Sequence, residues 1–310
     1  MESKVICIVG PTCSGKTSLS LELAKSLDIE IISADSRQFY KYLDIGTAKP
    51  SKNDLAKIPH HFIDTLEPDE SYNASRYENE ALSIIRSIID RKKIPVVVGG
   101  SGLYIKALIN GIFDEVDVDI EYRNELIEMK NKFGVDYLYS ELLKVDQESA
   151  AKMLPQNWKR IIRALEVYHL TGSTISVHQK AHKRKIDFKF VQFGLNWERS
   201  ILYKNIEKRV NDMIALGLLE ETKSILEIGF SKEINSLNTV GYKEIISFLD
   251  GNNSFEKAVE LIKRNTRRLA KRQLTWFRAD NRIIWLNNNN NNLTIDLKNI
   301  ADEILRREEN

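Results

Sequence analysis

Apolar positions along the chain follow two rhythms. "VICIVG" at 5–10 is an unbroken, β-branched apolar run. Such a run predicts a strand buried on both faces, as in a parallel sheet. "EIISADSRQFY" at 30–40 predicts a second strand ending at Asp35-Ser36, and "HHFIDTLEP" at 60–68 a short strand and turn. "IPVVVGGSGLYIKAL" at 94–108 opens with another buried strand, and "FKFVQFGLNW" at 188–197 returns to the sheet. Between the strands the period lengthens to that of a helix. Leu19, Leu23 and Leu27 share one helical face, and Ala81, Ile85, Ile88 and Ile89 form the stripe of a helix over 74–90. Strand signals vanish between about 114 and 188, which reads as helical. "NIEKRVNDMIALGLLEETKSIL" at 205–226 has the spacing of two amphipathic helices broken near Gly217. In 257–282, Leu269, Trp276 and Phe277 are placed to pack toward a core.

Composition narrows this only slightly. The chain has 310 residues, 42% hydrophobic and 29% charged, with a formal net charge of +2. That fits a globular protein of one large or two modest domains. No apolar run approaches the ~20 residues a bilayer span needs, so no membrane role is expected. Cys7 and Cys13 are too few and too close for a disulfide framework, which points to a reducing compartment. "MESKVICIVG" lacks a signal-peptide layout, and a cytoplasmic protein is expected. "LNNNNNNL" at 286–293 is expected to be a surface loop.

The loop after the first strand changes the picture. Gly10-Pro11-Thr12-Cys13-Ser14-Gly15-Lys16-Thr17 matches G-x-x-x-x-G-K-[ST] between a strand and a helix. Glycines let the backbone curl around an anion, and successive N–H groups and the helix N-terminus supply positive potential. Lys16 adds a point charge, and Thr17 can hold a Mg²⁺ ion. This is a nucleotide-binding (ATP-binding) type of loop, but the motif specifies phosphate rather than ATP. The strand at 94–99 ends in Gly99-Gly100-Ser101, where an ATPase strand of this kind would end in an acid. Asp35 is left as the strand-end carboxylate near the cradle, at the sheet edge where open α/β sheets bind ligands. The expected fold is therefore α/β, a P-loop NTPase-like core with a parallel sheet flanked by helices. Residues 1–113 and 189–310 form the core, and 114–188 a mostly helical insertion.

Charge is unevenly distributed. Residues 114–148 carry 11 Asp/Glu against 4 Lys/Arg, whereas 152–189 carry 9 Lys/Arg against 2 Asp/Glu. A second basic stretch, 257–282, again has 9 Lys/Arg against 2 acids. Arg264, Arg267, Arg268 and Lys271 fall on one helical face. A charge run is often only a solvated face. Two basic clusters in a nearly neutral chain favour a nucleic-acid footprint.

Six segments together carry a resemblance: "GPTCSGKT", "SADSRQFYKYLDIGTAKP", "VVVGGSGLYIKAL", "KRIIRALEV", "NTVGYKE" and "TRRLAKRQLTWFR". Over nearly its whole length the chain resembles the bacterial tRNA dimethylallyltransferases, also called isopentenylpyrophosphate transferases. The resemblance implies transfer of a dimethylallyl group from dimethylallyl diphosphate to N6 of the adenosine at tRNA position 37, beside the anticodon. The products would be N6-isopentenyladenosine and diphosphate, with no ATP consumed. It implies Mg²⁺, a cytoplasmic monomer, and the anticodon stem-loop as partner, gripped by a tRNA-clamping insertion. Asp35 would be the general base, and Asp35, Ser36, Arg37 and Gln38 would contact the target nucleotide. Thr17 would act on the leaving diphosphate and its magnesium, and Thr12–Thr17 would line the donor. Arg209 in "IEKRV" would reach the diphosphate. Ser101, Arg123 and the segment Lys159, Arg160, Ile161, Ile162 and Arg163 match RNA-contacting positions. Thr239 in "NTVGYKE" is left without a role. Phe39 and Tyr40 fit base stacking or the core equally.

Three rivals remain. A P-loop small-molecule kinase predicts ATP turnover, which the Gly-Gly strand end opposes. A non-catalytic RNA-binding protein with a relic loop is opposed by the intact Lys16, Thr17 and Asp35. An adenylate isopentenyltransferase would not need the basic insertion.

Overall fold

The computed structural model describes residues 3–113, 116, 118–181, 184–287 and 300. The elements begin β1 (Ser3–Val9), α1 (Lys16–Leu23), β2 (Ile29–Ser33), α2 (Lys52–Lys57), β3 (His60–His61), α3 (Ala74–Asp90), β4 (Ile94–Gly99) and α4 (Gly102–Asn110). Five helices follow: α5 (Ile120–Phe133), α6 (Val135–Val145), α7 (Gln147–Ala150), α8 (Trp158–Thr171) and α9 (Ile175–Ala181). The chain continues with β5 (Phe188–Asn196), α10 (Arg199–Ala215), α11 (Leu218–Glu227), α12 (Tyr242–Leu249), α13 (Phe255–Arg278) and β6 (Ile283–Asn287). Two compact units result, one from the residues up to Ile109 with those from Ile186 onward, the other Asn110–Lys185.

In the first unit the six strands form one sheet in the order β3-β2-β4-β1-β5-β6. All five pairings are parallel, with Cys7 of β1 opposite Val97 of β4 and Gln192 of β5. β1 is central, which explains its unbroken apolar run. Ile6, Ile8, Leu19, Leu23, Val96 and Phe193 are buried in one cluster against the sheet. Each such fully buried side chain contributes about 1.5–3 kcal/mol. Glu30 on β2 is buried, but Arg91 (2.7 Å) and His61 (2.8 Å) hold its carboxylate. These partners keep Glu30 below the usual carboxylate range against the opposing effect of burial.

Several expectations need correction. α1 stops at Leu23, where Ala24 N–H closes on Ser20 O, so Leu27 lies beyond the helix while still packing against the core. β2 ends at Ser33, which places Asp35 in the loop after it. α10 begins at Arg199 rather than near 205, whereas its break from α11 falls at Gly217 as expected, with φ +98°. Trp276 is 46% exposed instead of buried, and its ring lies where a Cβ on Gly102 would fall. Phe39 and Tyr40 are core residues, with Phe39 stacked on Tyr104 at 5.7 Å. The asparagine tract lies outside the described residues, except Leu286 and Asn287, which end β6.

The second unit has its own core, in which Leu126, Leu138, Leu142, Ile161, Ile162 and Leu165 meet. Asp119 caps α5 by accepting from Tyr122 N–H. Asp146 caps α7 through Ser149 N–H and also accepts from Ser176 Oγ at 3.0 Å, which ties α9 to the end of α6. Glu166 is fully buried, and its Oε2 lies 2.7 Å from both Arg123 and Arg163. Losing one partner of such a buried group is strongly destabilising.

Candidate active site

The loop from Gly10 to Gly15 curls because its sequence allows it. Gly15 takes the left-handed conformation (φ +88°) as the N-cap of α1, and Cys13 does so as well (φ 63°). Two long-range hydrogen bonds hold its backbone, and a third anchors Gln273. Thr12 N–H donates to Gln273 Oε1 on α13 at 2.8 Å, Trp197 Nε1 donates to Ser14 O at 2.9 Å, and Gln273 Nε2 donates to Gly100 O at 3.0 Å. Gln273 thus bridges the loop and the carboxyl end of β4. A Cβ on Gly100 would lie 2.4 Å from Gln273 Nε2, and one on Gly99 2.1 Å from Ala34 O. A side chain at Gly99 would drive into the Ala34 backbone, so close approach dictates glycine there, whereas at Gly100 it would have to displace the Gln273 amide from its bonds.

Lys16 is half-buried against this loop, and its Nζ donates to Pro11 O at 2.6 Å. Burial pushes its ammonium down to about 8, opposed by nearby Asp35 and assisted by Arg209. An anion in the loop favours the charged form. Binding of a diphosphate should therefore be strongest below pH 8, where Lys16 is already protonated. Above that pH the affinity should fall by about tenfold per pH unit, because each complex must take up a proton. Equilibrium binding of inorganic diphosphate from pH 7 to 9 checks this. Lys16→Ala should bind weakly with that slope removed, and an equal slope in the variant would refute the assignment.

Asp35 lies two residues beyond the end of β2, just before a turn. Its Oδ1 accepts from Arg37 N–H at 3.0 Å, and Oδ2 has no hydrogen-bond partner among the described residues. Ser36 N–H donates to Ser101 Oγ at 2.9 Å. Gln38 spans the turn, with Oε1 accepting from Ser33 Oγ and Nε2 donating to Thr47 O and Ala48 O. Arg37 Nη1 donates to Asn235 O at 2.8 Å. From α10, Arg209 Nη1 reaches Thr12 Oγ1 at 3.1 Å and Cys13 Sγ at 3.6 Å.

Thr12, Cys13, Asp35, Arg37 and Arg209 line one open cavity whose accessible volume is about 90 Å³. Gly46, Thr47, Thr239, Thr266 and Gln273 add polar wall, while Val210, Met213, Val240, Ile262 and Leu269 form an apolar side. Phosphate-binding groups, a carboxylate and an apolar wall therefore share one space. That combination suits an amphipathic diphosphate and a nucleophile that must lose a proton. Sequence reasoning found the first five residues. It left Thr239 without a role and passed over Gln273, although both stand in segments carrying the resemblance.

The other expected residues are placed differently. Lys159 and Arg160 are exposed on α8. Ile161 and Ile162, expected to touch RNA, are 0% and 3% exposed in the helical core, so their side chains serve packing. Arg123 and Arg163 are engaged with Glu166.

A family model described as IPP transferase matches residues 38–280. A tRNA dimethylallyltransferase of Pelotomaculum thermopropionicum is 46% identical over 97% of this chain and 95% of its own length. One of Thermotoga neapolitana is 46% identical over 92% of each. Among solved structures, the full-length tRNA isopentenylpyrophosphate transferase from Bacillus halodurans has 38% identity and a TM-score of 0.72, covering 98% of this chain and 97% of that one. A eukaryotic dimethylallyltransferase acting on tRNA has 28% identity and a TM-score of 0.82, covering 99% of this chain and 81% of that one. The match at 38–280 begins just after the cradle and Asp35, but the full-length relatives align across nearly all of the chain, and it belongs to the IPP transferase family.

Proposed function

We propose that this protein transfers a dimethylallyl group from dimethylallyl diphosphate to N6 of the adenosine at position 37 of tRNA. The observation that carries the reading is the shared cavity of loop, Asp35, Arg209 and apolar wall. The diphosphate occupies the cradle of Gly10, Pro11, Thr12, Cys13, Ser14, Gly15, Lys16 and Thr17. The five-carbon chain lies toward Val210, Met213, Val240, Ile262 and Leu269.

The exocyclic amine is a poor nucleophile because its lone pair is delocalised into the ring. Asp35 accepts a hydrogen bond from N6, orients it and takes its proton as the N6–C1 bond forms. The allylic C1–O bond breaks, and its electron pair leaves with diphosphate. Lys16 and Arg209 stabilise the charge developing on the bridging oxygen. Thr17 is exposed in the first turn of α1, and among the described residues no three acidic, His or Cys side chains cluster to hold a metal. The Thr17 hydroxyl would hold Mg²⁺ together with the diphosphate, and the ion, when bound, would supply charge neutralisation to the leaving group. Ser36, Arg37, Gln38 and Ser101 shape the turn that receives the adenine, which leaves its stack at a cost of a few kcal/mol.

Incubation of the protein with labelled donor and tRNA, with and without ATP, tests this. Label should enter RNA without ATP. A strict ATP requirement, or unlabelled RNA, would sink the reading.

The helical unit acts as a tRNA clamp in this proposal, through the exposed Lys159 and Arg160 rather than through Ile161 and Ile162. Arg123 and Arg163 contribute mainly by holding Glu166. Removing one cation from a phosphate flattens the slope of log affinity against log salt by about 0.7–0.9. Lys159→Ala with Arg160→Ala should weaken tRNA binding and flatten that slope, with less effect on turnover of a saturating minimal stem-loop. Unchanged affinity and slope would transfer the role to the exposed Arg264, Arg268 and Lys271 of α13. No helix among the described residues is long and apolar enough to cross a membrane, and the protein is proposed to work in the cytoplasm as a monomer.

A further inference from the structure

Glu221 on α11 lies outside the cavity lining yet makes an unusual set of contacts. Its Oε2 accepts from Asp44 N–H (3.1 Å) and Ile45 N–H (2.8 Å), and its Oε1 from Gly46 N–H (3.1 Å). Tyr242 OH, at the start of α12, also donates to Oε1 at 2.6 Å and accepts from Gly46 N–H at 3.2 Å. Three successive backbone N–H groups form a concavity suited to an anion, and here the protein fills it with its own carboxylate. Charge-assisted bonds of this kind are about twice as strong as neutral ones. Tyr242 is fully buried, and a Cβ on Gly46 would lie 2.4 Å from its ring, so the loop is seated directly on the phenol.

The gripped loop leads to the reacting group. Gly46 and Thr47 line the cavity beside Asp35. The next carbonyls, Thr47 O and Ala48 O, receive the Gln38 amide, whose Oε1 holds Ser33 Oγ. Ser33 and Gln38 flank the turn that carries Asp35. A continuous chain of hydrogen bonds therefore runs from α11 through loop 44–48 and Gln38 to both sides of the proposed base.

We infer that Glu221, with Tyr242, is a positioning residue for the transfer step. It fixes loop 44–48, so that Gln38 holds Asp35 at the geometry needed to meet the incoming amine. This deepens the proposed function and rests on it. Small misplacement of a reacting group costs rate out of proportion to binding: about 10²-fold for about 1 Å. The carboxylate is suited to the task because all four of its partners are donors. In Glu221→Gln an amide N–H₂ must face two of them.

The test measures single-turnover transfer at saturating dimethylallyl diphosphate and tRNA, alongside equilibrium binding of each. Wild-type transfer in this assay tests the function itself, and the ratio of variant to wild type tests the inference. Glu221→Gln should slow the chemical step by about 10–10² with both affinities nearly unchanged. In combination with Gln38→Ala it should add little, because both act through one chain of contacts. Tyr242→Phe, which keeps the carboxylate and the ring, should show a smaller loss of the same kind and serves if Glu221→Gln does not fold. An unchanged chemical step in the folded variants overturns the inference. So do losses of affinity that match the loss of rate, or a double variant whose losses multiply.

Discussion

Asp35→Asn should lower the single-turnover rate of prenyl transfer by about 10²–10⁴-fold, the usual contribution of a positioned general base, while tRNA binding stays nearly intact. Asparagine preserves the local fold. Oδ1 still accepts from Arg37 N–H, so the turn that follows β2 keeps its shape. What disappears is the oxygen without a partner, which an amide N–H₂ replaces with a donor. Facing the N6 amine, that donor neither orients the lone pair nor takes the proton. Asp35→Ala should be at least as slow and should also loosen the turn. Rapid-quench measurement with saturating donor separates the chemical step from binding. Near-normal single-turnover chemistry in Asp35→Asn would refute the role.

What the sequence made legible here was local. The cradle could be read because its eight residues are contiguous and flanked by a strand and a helix. β1 and β4 could be read because central parallel strands bury both faces. The contacts that hold the cradle in place could not, since Gln273 meets Thr12 across 261 positions and Gly100 across 173. The missing acid after β4 was visible, but its steric cause was not, because Ala34 and Gln273 converge there only in the folded chain. In "KRIIRAL" the resemblance covers consecutive residues, whereas a helix turns only one side of them inward. Lys159 and Arg160 stay in solvent, and Ile161 and Ile162 enter the core. Trp276 misled for a related reason, since an aromatic beside a buried Phe277 can lie flat over Gly102 instead. Glu221 gave no signal, because its partners are mostly backbone amides, which carry no side-chain signature.

Arg209→Ala should have the second large effect, about 10²–10³-fold on the transfer rate, comparable to removal of one donor to a developing anion. Arg209 reaches the cradle from α10, with Nη1 at 3.1 Å from Thr12 Oγ1. In the proposed function this is the leaving-group side, far in sequence from the loop that Arg209 completes. In the proposed reaction the ground-state diphosphate charge would be shared with the loop, Lys16 and a bound Mg²⁺. As C1–O breaks, new charge gathers on the bridging oxygen, and a fixed guanidinium gains most there. The rate at saturating donor should consequently fall more than donor affinity does. Thr17→Ala should show the same split, with its loss reduced by raising Mg²⁺. Arg209→Lys should recover only part of the rate, because a point charge on a flexible stem lacks the planar fork. tRNA affinity should survive in all three variants. A fall in RNA binding equal to the fall in rate would move Arg209 from the leaving group to the RNA-binding surface.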